Sequence, residues 1–460
     1  MTPRILNYLC LCLILTGSII SGPNISAAVV SYPAPPGLKT SPDFTLNAAG
    51  TNIWVERIGS KKTSFDYNLY SGRAMEDLNV ASFSCSGKVT IKITASENIS
   101  SFKILPESRH IAGMVNGKDL TFTISGPQKL YIEINNLPHL AIFANPEEED
   151  IPSGNTPGVT CFTPGSYNLG TITLKSNQTI YIAGGAIVYA DIKGRNLKNV
   201  CIKGRGIIQG NIDISGTENL LVEGVFIRNT NGWTNTLTDC YKSKYLNVKV
   251  FSYEAIYSVD GIDIVSCRNF IIDDCFMRCR DDCVAIKSGD KKLHVDSISV
   301  GNCVMTGWAC SDGVTIGFEL NGGPVENIYV KNCDILYARG GGRTDGHSGF
   351  SIVCDGPALV RNIYFEDIRV EKQVEFKNLE LIVTDGTLYG DDPPGHIKGV
   401  NMKNITWANP DKPFIIKGFS PSNMVEDIVF DHCTVGGKLL KSTSDADFRI
   451  NSYAKNIVFK

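Results

Sequence analysis

"NFIIDDCFM" (residues 269–277) is the stretch that decides the fold, because the same pattern occurs six more times in the chain. In each copy the second, fourth, seventh and ninth positions are mostly apolar, and the fifth and sixth are polar or turn-forming. We call this nine-residue pattern the coil template. The other copies are NLLVEGVFI (219–227), SISVGNCVM (297–305), NIYVKNCDI (327–335), NIYFEDIRV (362–370), GVNMKNITW (399–407) and DIVFDHCTV (427–435).

A unit of this size cannot bury its apolar side chains alone, so the copies must stack and share one continuous core. Each copy contains two short apolar strands separated by a polar bend, and no helical pattern lies between the copies. These features predict an all-β protein built on a parallel β-helix, with neighbouring coils about 4.8 Å apart. The copies are most widely spaced between residues 327 and 399, which predicts bulky loops at 338–349 and 385–395.

The chain before the repeats has a different character. Runs such as GKVTIKITA and KLYIEINNL are strand-like but lack the coil template, and they favour a small β-sandwich. A polar stretch rich in proline and glycine follows at residues 145–158 and marks a boundary. We therefore expect a sandwich over residues 29–150 and a β-helix over residues 158–460.

The first 28 residues are typical of an export signal. Arg4 supplies a positive start, LCLCLILTGSII (9–20) an apolar core, and ISAA (25–28) a cleavage region. The apolar run is too short for a comfortable membrane span, so a periplasmic or extracellular location after cleavage is expected. The net charge of −3 gives no reason to expect nucleic acid or an anionic membrane as a partner.

Fifteen cysteines in an exported chain raise the question of disulfide bonds. Four of them stand at the seventh template position, where other copies have valine or isoleucine. Cysteine there behaves as a small buried hydrophobe, which predicts packed thiols and neither disulfides nor metal ligands. These four are Cys275, Cys303, Cys333 and Cys433.

Aspartates are concentrated between residues 258 and 289. Asp273 and Asp274 fall on the polar bend of the template and Asp263 lies in a strand, so we interpret these three as structural. Asp260 and the pair Asp281–Asp282 lie off the template, 21 residues apart, which is about one coil. Stacked carboxylates repel and raise one another's pKa, as an acid–base device requires. A calcium site and turn capping remain alternatives on spacing alone.

The segments SVDGIDI and RDDCVAIKSG resemble the Asn-Thr-Asp and Gly/Gln-Asp-Asp motifs of the polygalacturonase-type glycoside hydrolases of family 28. A leading sandwich joined to a β-helix also resembles the dextranase and isopullulanase family 49. The resemblance implies a right-handed β-helix and inverting hydrolysis of a polysaccharide or oligosaccharide without a metal or other cofactor. It assigns Asp281 as the general acid, and Asp260 and Asp282 as the carboxylates that hold and deprotonate the attacking water.

Two departures from family 28 bear on the substrate. CSDGVTIGFE (310–319) stands nearest to the family's Gly-His-Gly motif, with Ser311 and Asp312 where the histidine is expected. No equivalent was found for the Arg-Ile-Lys motif that grips the carboxylate of galacturonate. The loss of that cation removes a reason to bind an acidic sugar, and we therefore expect a neutral or weakly acidic glycan.

Further residues are candidates for contact with the substrate. Charged and aromatic side chains close to the aspartates in sequence can bind sugar hydroxyls or stack on sugar rings. Solvated charges, core packing and a surface loop without a binding role are the alternatives. The predicted substrate-binding residues are Lys287, Arg280, Asp312, Tyr257 and His347, with Tyr253, Trp308 and Arg343 as weaker candidates.

Two other classes of function remain open. A polysaccharide lyase on the same scaffold would use the aspartates to hold calcium and would release unsaturated products. A non-catalytic carbohydrate-binding β-helix would keep its role after loss of Asp281. The hydrolase hypothesis accounts for both aspartate motifs together.

Overall fold

The computed structural model describes residues 28–59, 76–229, 232–252, 259–307, 311–339, 348–374, 376–386 and 389–460. The predicted signal peptide, apart from its last residue, lies outside these ranges. No helix within them is long and apolar enough to span a membrane. The described chain is almost entirely strand and irregular structure, and its helical segments are two single 3₁₀ turns, Glu107–Arg109 and Thr443–Asp445.

The amino-terminal region forms two mainly antiparallel sheets that face each other around one core, as the sequence predicts. One sheet has the order β1-β5-β11-β10-β7, with β4 also paired to β5, and the other has the order β3-β2-β6-β9-β8. Their strands are β1 (Val29–Ser31), β2 (Phe44–Ala48), β3 (Thr51–Ile53), β4 (Val55–Ile58), β5 (Leu78–Cys85), β6 (Val89–Ala95), β7 (Phe102–Leu105), β8 (Gly113–Asn116), β9 (Asp119–Ile124), β10 (Gln128–Ile134) and β11 (Leu140–Asn145).

The remaining strands, β12 to β42, pair from one coil to the next in parallel and form a β-helix with three faces. The template face, which carries the first half of each coil template, comprises β12 (Val159–Phe162), β14 (Thr179–Ile182), β16 (Lys198–Gly204), β19 (Glu218–Glu223), β22 (Tyr241–Leu246), β25 (Arg268–Asp273), β28 (Val295–Gly301), β35 (His396–Lys403), β38 (Val425–Asp431) and β42 (Ala454–Phe459). The docking face, which follows the polar bend, comprises β17 (Ile207–Gln209), β20 (Phe226–Asn229), β23 (Lys249–Ser252), β26 (Phe276–Cys279), β29 (Val304–Gly307), β36 (Thr406–Trp407) and β39 (Thr434–Val435).

The third face, which we call the groove face, comprises β18 (Ile212–Ser215), β21 (Asn235–Thr238), β24 (Ile262–Val265), β27 (Val284–Ser288), β30 (Val314–Leu320), β32 (Ser348–Cys354), β34 (Lys377–Val383), β37 (Phe414–Lys417) and β41 (Phe448–Ile450). Four long strands run through two faces each: β13 (Gly165–Thr173), β15 (Ala186–Arg195), β31 (Val325–Ala338) and β33 (Leu359–Val374). A short β40 (Lys438–Leu439) pairs antiparallel to β39.

The bends of the β-helix follow from the coil template. Residues at its first and sixth positions have positive φ in every copy, as at Asn269 (50°) and Asp274 (51°). Asparagine, aspartate and glycine tolerate this left-handed conformation better than other residues, which explains their recurrence at those positions. Asp274 is therefore a bend residue, as predicted from the sequence.

The interior of the β-helix is a continuous column of buried apolar side chains. Template positions two, four, seven and nine point into it, as at Leu220, Val222, Val225 and Ile227, which are 0–1% exposed. The four template cysteines lie in the same column and are fully buried, which is the packing expected of small hydrophobic side chains at that position.

The sandwich packs against the docking face through a stack of aromatic rings. Phe226, Phe251 and Phe276 lie on consecutive coils, and Phe143 of the sandwich meets each of them at centroid distances of 5.0–6.0 Å. Burial of one such side chain contributes about 1.5–3 kcal/mol. This contact fixes the sandwich along the β-helix and leaves the groove face uncovered by it.

Candidate active site

Three aspartates occupy the same position on three consecutive coils of the groove face. The strand residues Ile262, Val284 and Val314 pair from coil to coil. The three aspartates, Asp260, Asp282 and Asp312, each lie two residues before one of them. The backbone N–H of Gly261 donates to the carbonyl of Asp282 at 2.8 Å. We call these three residues the aspartate column, and register alone places their backbones one coil spacing apart.

The residue after each aspartate is small because the next coil passes close by. A Cβ on Gly261 would lie 2.4 Å from the carbonyl oxygen of Cys283 and 2.7 Å from Sγ of Cys279. A Cβ on Gly313 would lie 2.7 Å from the Ile335 side chain. The Asp-Gly pairs at 260 and 312 therefore reflect a close approach of neighbouring coils.

Asp281 precedes the aspartate column by one residue and differs from it in exposure. It is partly exposed, whereas Asp260 and Asp282 are 3% and 9% exposed. Its Oδ1 accepts the backbone N–H of Asp282 at 3.1 Å. The structure thus brings the three predicted catalytic aspartates together, with the side chain of Asp281 nearest to solvent.

Burial changes the titration of the aspartate column. It raises the pKa of Asp260 well above the ordinary value, and the neighbouring carboxylates of Asp263 and Asp281 raise it further. It likewise raises the pKa of Asp282, and Asp312 adds the largest electrostatic contribution. The carboxyl groups are therefore biased towards protonation, which is the behaviour that acid–base catalysis uses.

Lys287 lies among the carboxylates and is 5% exposed. Its Nζ is 2.7 Å from Glu319, 3.7 Å from Asp260 and 3.8 Å from Asp263. Burial opposes the positive charge, but attraction to the three carboxylates outweighs it and raises the pKa of Lys287. The ammonium group is held by the protein's own acids, whereas the sequence suggested contact with substrate hydroxyls.

Sequence reasoning missed three residues of this site. Asp263 was interpreted as structural, yet it is fully buried beside Lys287 on the outer side of the groove face. The alternation in GIDIV was the available signal, since Ile262 and Ile264 point inward and Asp263 must point outward. The other two, Glu319 and Trp233, carried no motif, and the ring of Trp233 lies 4.4 Å from Nζ of Lys287.

Asp263 has an unusual environment for a carboxyl group. It lies beside the carboxyl group of Asp260 and 3.8 Å from the ammonium of Lys287. Burial raises the pKa of Asp263 to about 8 despite the opposing attraction of Lys287. Burial therefore outweighs the ammonium of Lys287 at this carboxyl group.

The structure corrects the expectation that Asp312 lines the cleft. Its side chain is 1% exposed and accepts hydrogen bonds from the backbone N–H of Ser348 and the hydroxyls of Ser351 and Thr315. These donors lie on the following strands and turn the carboxylate towards the protein. Asp312 contacts Asp282, whose Oδ1 accepts the backbone N–H of Asp312 at 2.9 Å.

Arg280 also differs from its expected place. It is 0% exposed, so it neither reaches solvent nor presents its guanidinium at the surface. Its backbone N–H donates to Oγ of Ser252 at 3.0 Å, at the corner where the docking face ends. The other predicted contacts, Tyr257 and His347, lie outside the described residues, as do Tyr253, Trp308 and Arg343.

Comparison with known proteins agrees with this arrangement. Residues 146–410 match the family described as "Glycosyl hydrolases family 28". The match contains the aspartate column, Asp281 and Lys287, and it covers more than half of the chain. It confirms the resemblance that the two aspartate motifs suggested.

Two named relatives and one solved structure extend the comparison. "Polygalacturonase QRT2" of Arabidopsis thaliana is 27% identical over 191 residues, which are 42% of this chain and 40% of that protein. A "Polygalacturonase" of Gossypium barbadense is 23% identical over 338 residues, 72% of this chain and 75% of the relative. The chain thus spans less than half the length of the first relative. "Dex49A from Penicillium minioluteum" superposes with a TM-score of 0.62 at 15% identity, over 94% of this chain and 96% of its own, and shares the fold of both parts.

Proposed function

The chain belongs to glycosyl hydrolase family 28, and from this premise we propose that it hydrolyses O-glycosidic bonds of a pectin-type polysaccharide or oligosaccharide. One observation carries the proposal: Asp260 and Asp282 are stacked on adjacent coils, with Asp281 beside them and closer to solvent. Two kinds of carboxyl environment in one site suit a reaction that needs both an acid and a base.

The proposed mechanism assigns one role to each environment. Asp281 donates a proton to the glycosidic oxygen as the bond to the leaving sugar breaks. Asp260 and Asp282 hold a water molecule on the opposite face of the sugar and take its proton, which inverts the anomeric carbon. Burial raises the pKa of both carboxyl groups, and Lys287, 3.7 Å from Asp260, acts against that rise at Asp260 and favours the ionised form that a base needs.

The proposed substrate is a neutral or only weakly acidic sugar at the point of cleavage. Two of the cations predicted to touch it lie in the described part of the chain: Arg280 is buried, and Lys287 is already shared by three acidic side chains. At this point a sugar carboxylate would meet the acidic side chains of Asp281 and Glu319, which are both partly exposed. Hydroxyl groups, in contrast, can donate to those carboxylates.

The place of action and the division of the chain complete the proposal. Residues 1–28 serve as an export signal, and the mature protein, with a sandwich domain at 29–150 and a catalytic β-helix domain at 158–460, works in the periplasm or outside the cell. Its proposed partner is a glycan, and the net charge of −3 gives no reason to expect nucleic acid.

The test is a hydrolysis assay on polygalacturonan, rhamnogalacturonan, galactan and dextran with wild type, Asp281→Asn and Asp411→Asn. Asp411 is an exposed aspartate of the last coils and serves as the control. We expect new reducing ends with wild type and with Asp411→Asn, and at least a thousandfold less with Asp281→Asn, while circular dichroism shows an unchanged fold. NMR should show inversion in the first anomer released. Products that absorb in the ultraviolet, or full activity of Asp281→Asn, would overturn the proposal.

A further inference from the structure

The groove face is open to solvent on the coils that precede the aspartate column. Its outward-facing residues there are Lys193, which is exposed, and Asp213 and Thr236, which are half-buried. Together with Asp191, Asn211 and Trp233 they line an open groove of about 540 Å³. This volume lies within the range of about 300–1,000 Å³ that is typical of ligand sites.

The same face is closed from the coil of Asp260 onward. The row of Asp213 and Thr236 continues from coil to coil through five residues that are 0–1% exposed: Asp263, Ala285, Thr315, Ser351 and Glu380. The outward side therefore changes from accessible to buried within a few coils.

Side chains that pack on the outer surface of the groove face help to bury these residues. Phe318 packs on Val353, Ile382 and Ile415, which point outward from consecutive strands. The ring of Tyr389 meets Phe318 edge-on at a centroid distance of 5.6 Å. We call Phe318, Glu319 and Tyr389 the end wall.

Lys287 stands at the junction of the open and closed parts. Its Nζ lies 4.4 Å from the ring centroid of Trp233 on the open side and 2.7 Å from Glu319 of the end wall on the other. The same Nζ is 3.7 Å from Asp260. The aspartate column thus lies at the inner end of the groove.

The groove has the chemistry of a sugar-binding surface. Trp233 offers a ring face for stacking, and its backbone is fixed because Asn211 Nδ2 donates to its carbonyl at 2.9 Å. Carboxylates, an amide, a hydroxyl and an ammonium alternate along the lining and can exchange hydrogen bonds with sugar hydroxyls.

From these contacts and differences in exposure we propose that the glycan binds in this groove alone and that the enzyme cleaves the glycan near one of its ends. The groove holds the body of the glycan, and the distance from the aspartate column to the end wall sets the length of the released product. The inference rests on the proposed hydrolase function and adds its mode of action.

The test follows the first products from linear hexasaccharides of galacturonic acid, galactose and glucose that carry a fluorescent label at the reducing end. Chain-end cleavage releases one short product from the earliest time, with labelled fragments of a single new length. Labelled fragments of several lengths in the first few per cent of turnover would overturn the inference and leave the hydrolase proposal intact. No hydrolysis of any substrate, including the polymers above, would remove both.

Two variants test the two ends of the groove separately. Trp233→Ala should raise KM for the hexasaccharide about tenfold with little change in kcat, whereas Trp233→Phe retains a low KM. Tyr329→Ala, an exposed tyrosine on the template face, is the control and should leave both constants unchanged. Tyr389→Ala opens the end wall and should yield a mixture of longer first products. Unchanged KM in Trp233→Ala together with an unchanged product in Tyr389→Ala would contradict the inference.

Discussion

The Oδ1 of Asp282 accepts the backbone N–H of Asp312, one coil further along, at 2.9 Å. Asp312 affects the pKa of Asp282 in two opposite ways: the hydrogen bond from its backbone favours the ionised form of Asp282, and its negative charge disfavours that form. Burial and the charge of Asp312 prevail, so the pKa of Asp282 is raised. Asp312 is thus a positioning residue that tunes Asp282 without facing the groove.

Asp312→Asn should move the acidic limb of the kcat/KM profile to lower pH. The substitution removes the negative charge that raises the pKa of Asp282 and leaves the backbone N–H donor in place. Asp282 then reaches the ionised form that acts as a base at lower pH. Rates measured from pH 3 to 8 check this, with Asp411→Asn as a control of equal charge change. A limb that stays in place or moves to higher pH would contradict the assigned role of Asp282.

Asp263→Asn should stabilise the protein increasingly as pH rises. The pKa of Asp263 is raised to about 8 in the folded state, so its contribution to stability is complete at acid pH and is lost as pH rises towards 8. Asparagine resembles the protonated form and avoids that loss, which can reach about 1.4 kcal/mol per pH unit for one group. Thermal unfolding at pH 5, 7 and 9 measures the difference. A stability difference that stays constant from pH 5 to pH 9 would show that Asp263 is already ionised in the fold.

Much of the fold was predictable because the coil template records two local requirements at once. Apolar positions must point inward, and the first and sixth positions must tolerate positive φ, as Asn269 and Asp274 do. Cys303 was recognised as core for the same reason, since its position accepts Val225 elsewhere.

The site was less predictable because it depends on the direction of side chains and on segments without a template. The spacing of Asp260 and Asp282 revealed stacking, but it did not show that serine and threonine donors turn Asp312 inward. Glu319 reaches Lys287 from the end of a strand 32 residues away, and no motif connects the two. Such partners follow from the three-dimensional path of the chain.

Arg228→Met should destabilise the protein strongly. The guanidinium of Arg228 and the carboxylate of Glu56 form a two-point ion pair between β-helix and sandwich, with side chains 6% and 4% exposed. Removal of one partner leaves a buried charge, which costs about 3–5 kcal/mol. Chemical denaturation measures the loss. Lys331→Met breaks the exposed pair with Glu366 and is the control, for which we expect no measurable loss.

Cys303→Val should be tolerated. The thiol is a packed core side chain, and an apolar replacement of similar size changes stability by less than about 1.5 kcal/mol. Denaturant unfolding and thiol titration of the unfolded chain check both parts of the interpretation. Loss of the fold, or a count of free thiols lower than the number of cysteines in the described core, would show that the core of the β-helix contains a disulfide bond.

The docking of the sandwich limits how this scaffold can change. Its contacts extend along the β-helix from Ile187, which packs in one apolar cluster with Phe143, to Glu371, which accepts the backbone N–H of Glu107. Gain or loss of a whole coil between these points would shift one set of partners by about 4.8 Å relative to the other. The sandwich therefore fixes the number of coils between its first and last contacts with the β-helix. Coils can be gained or lost only outside that interval.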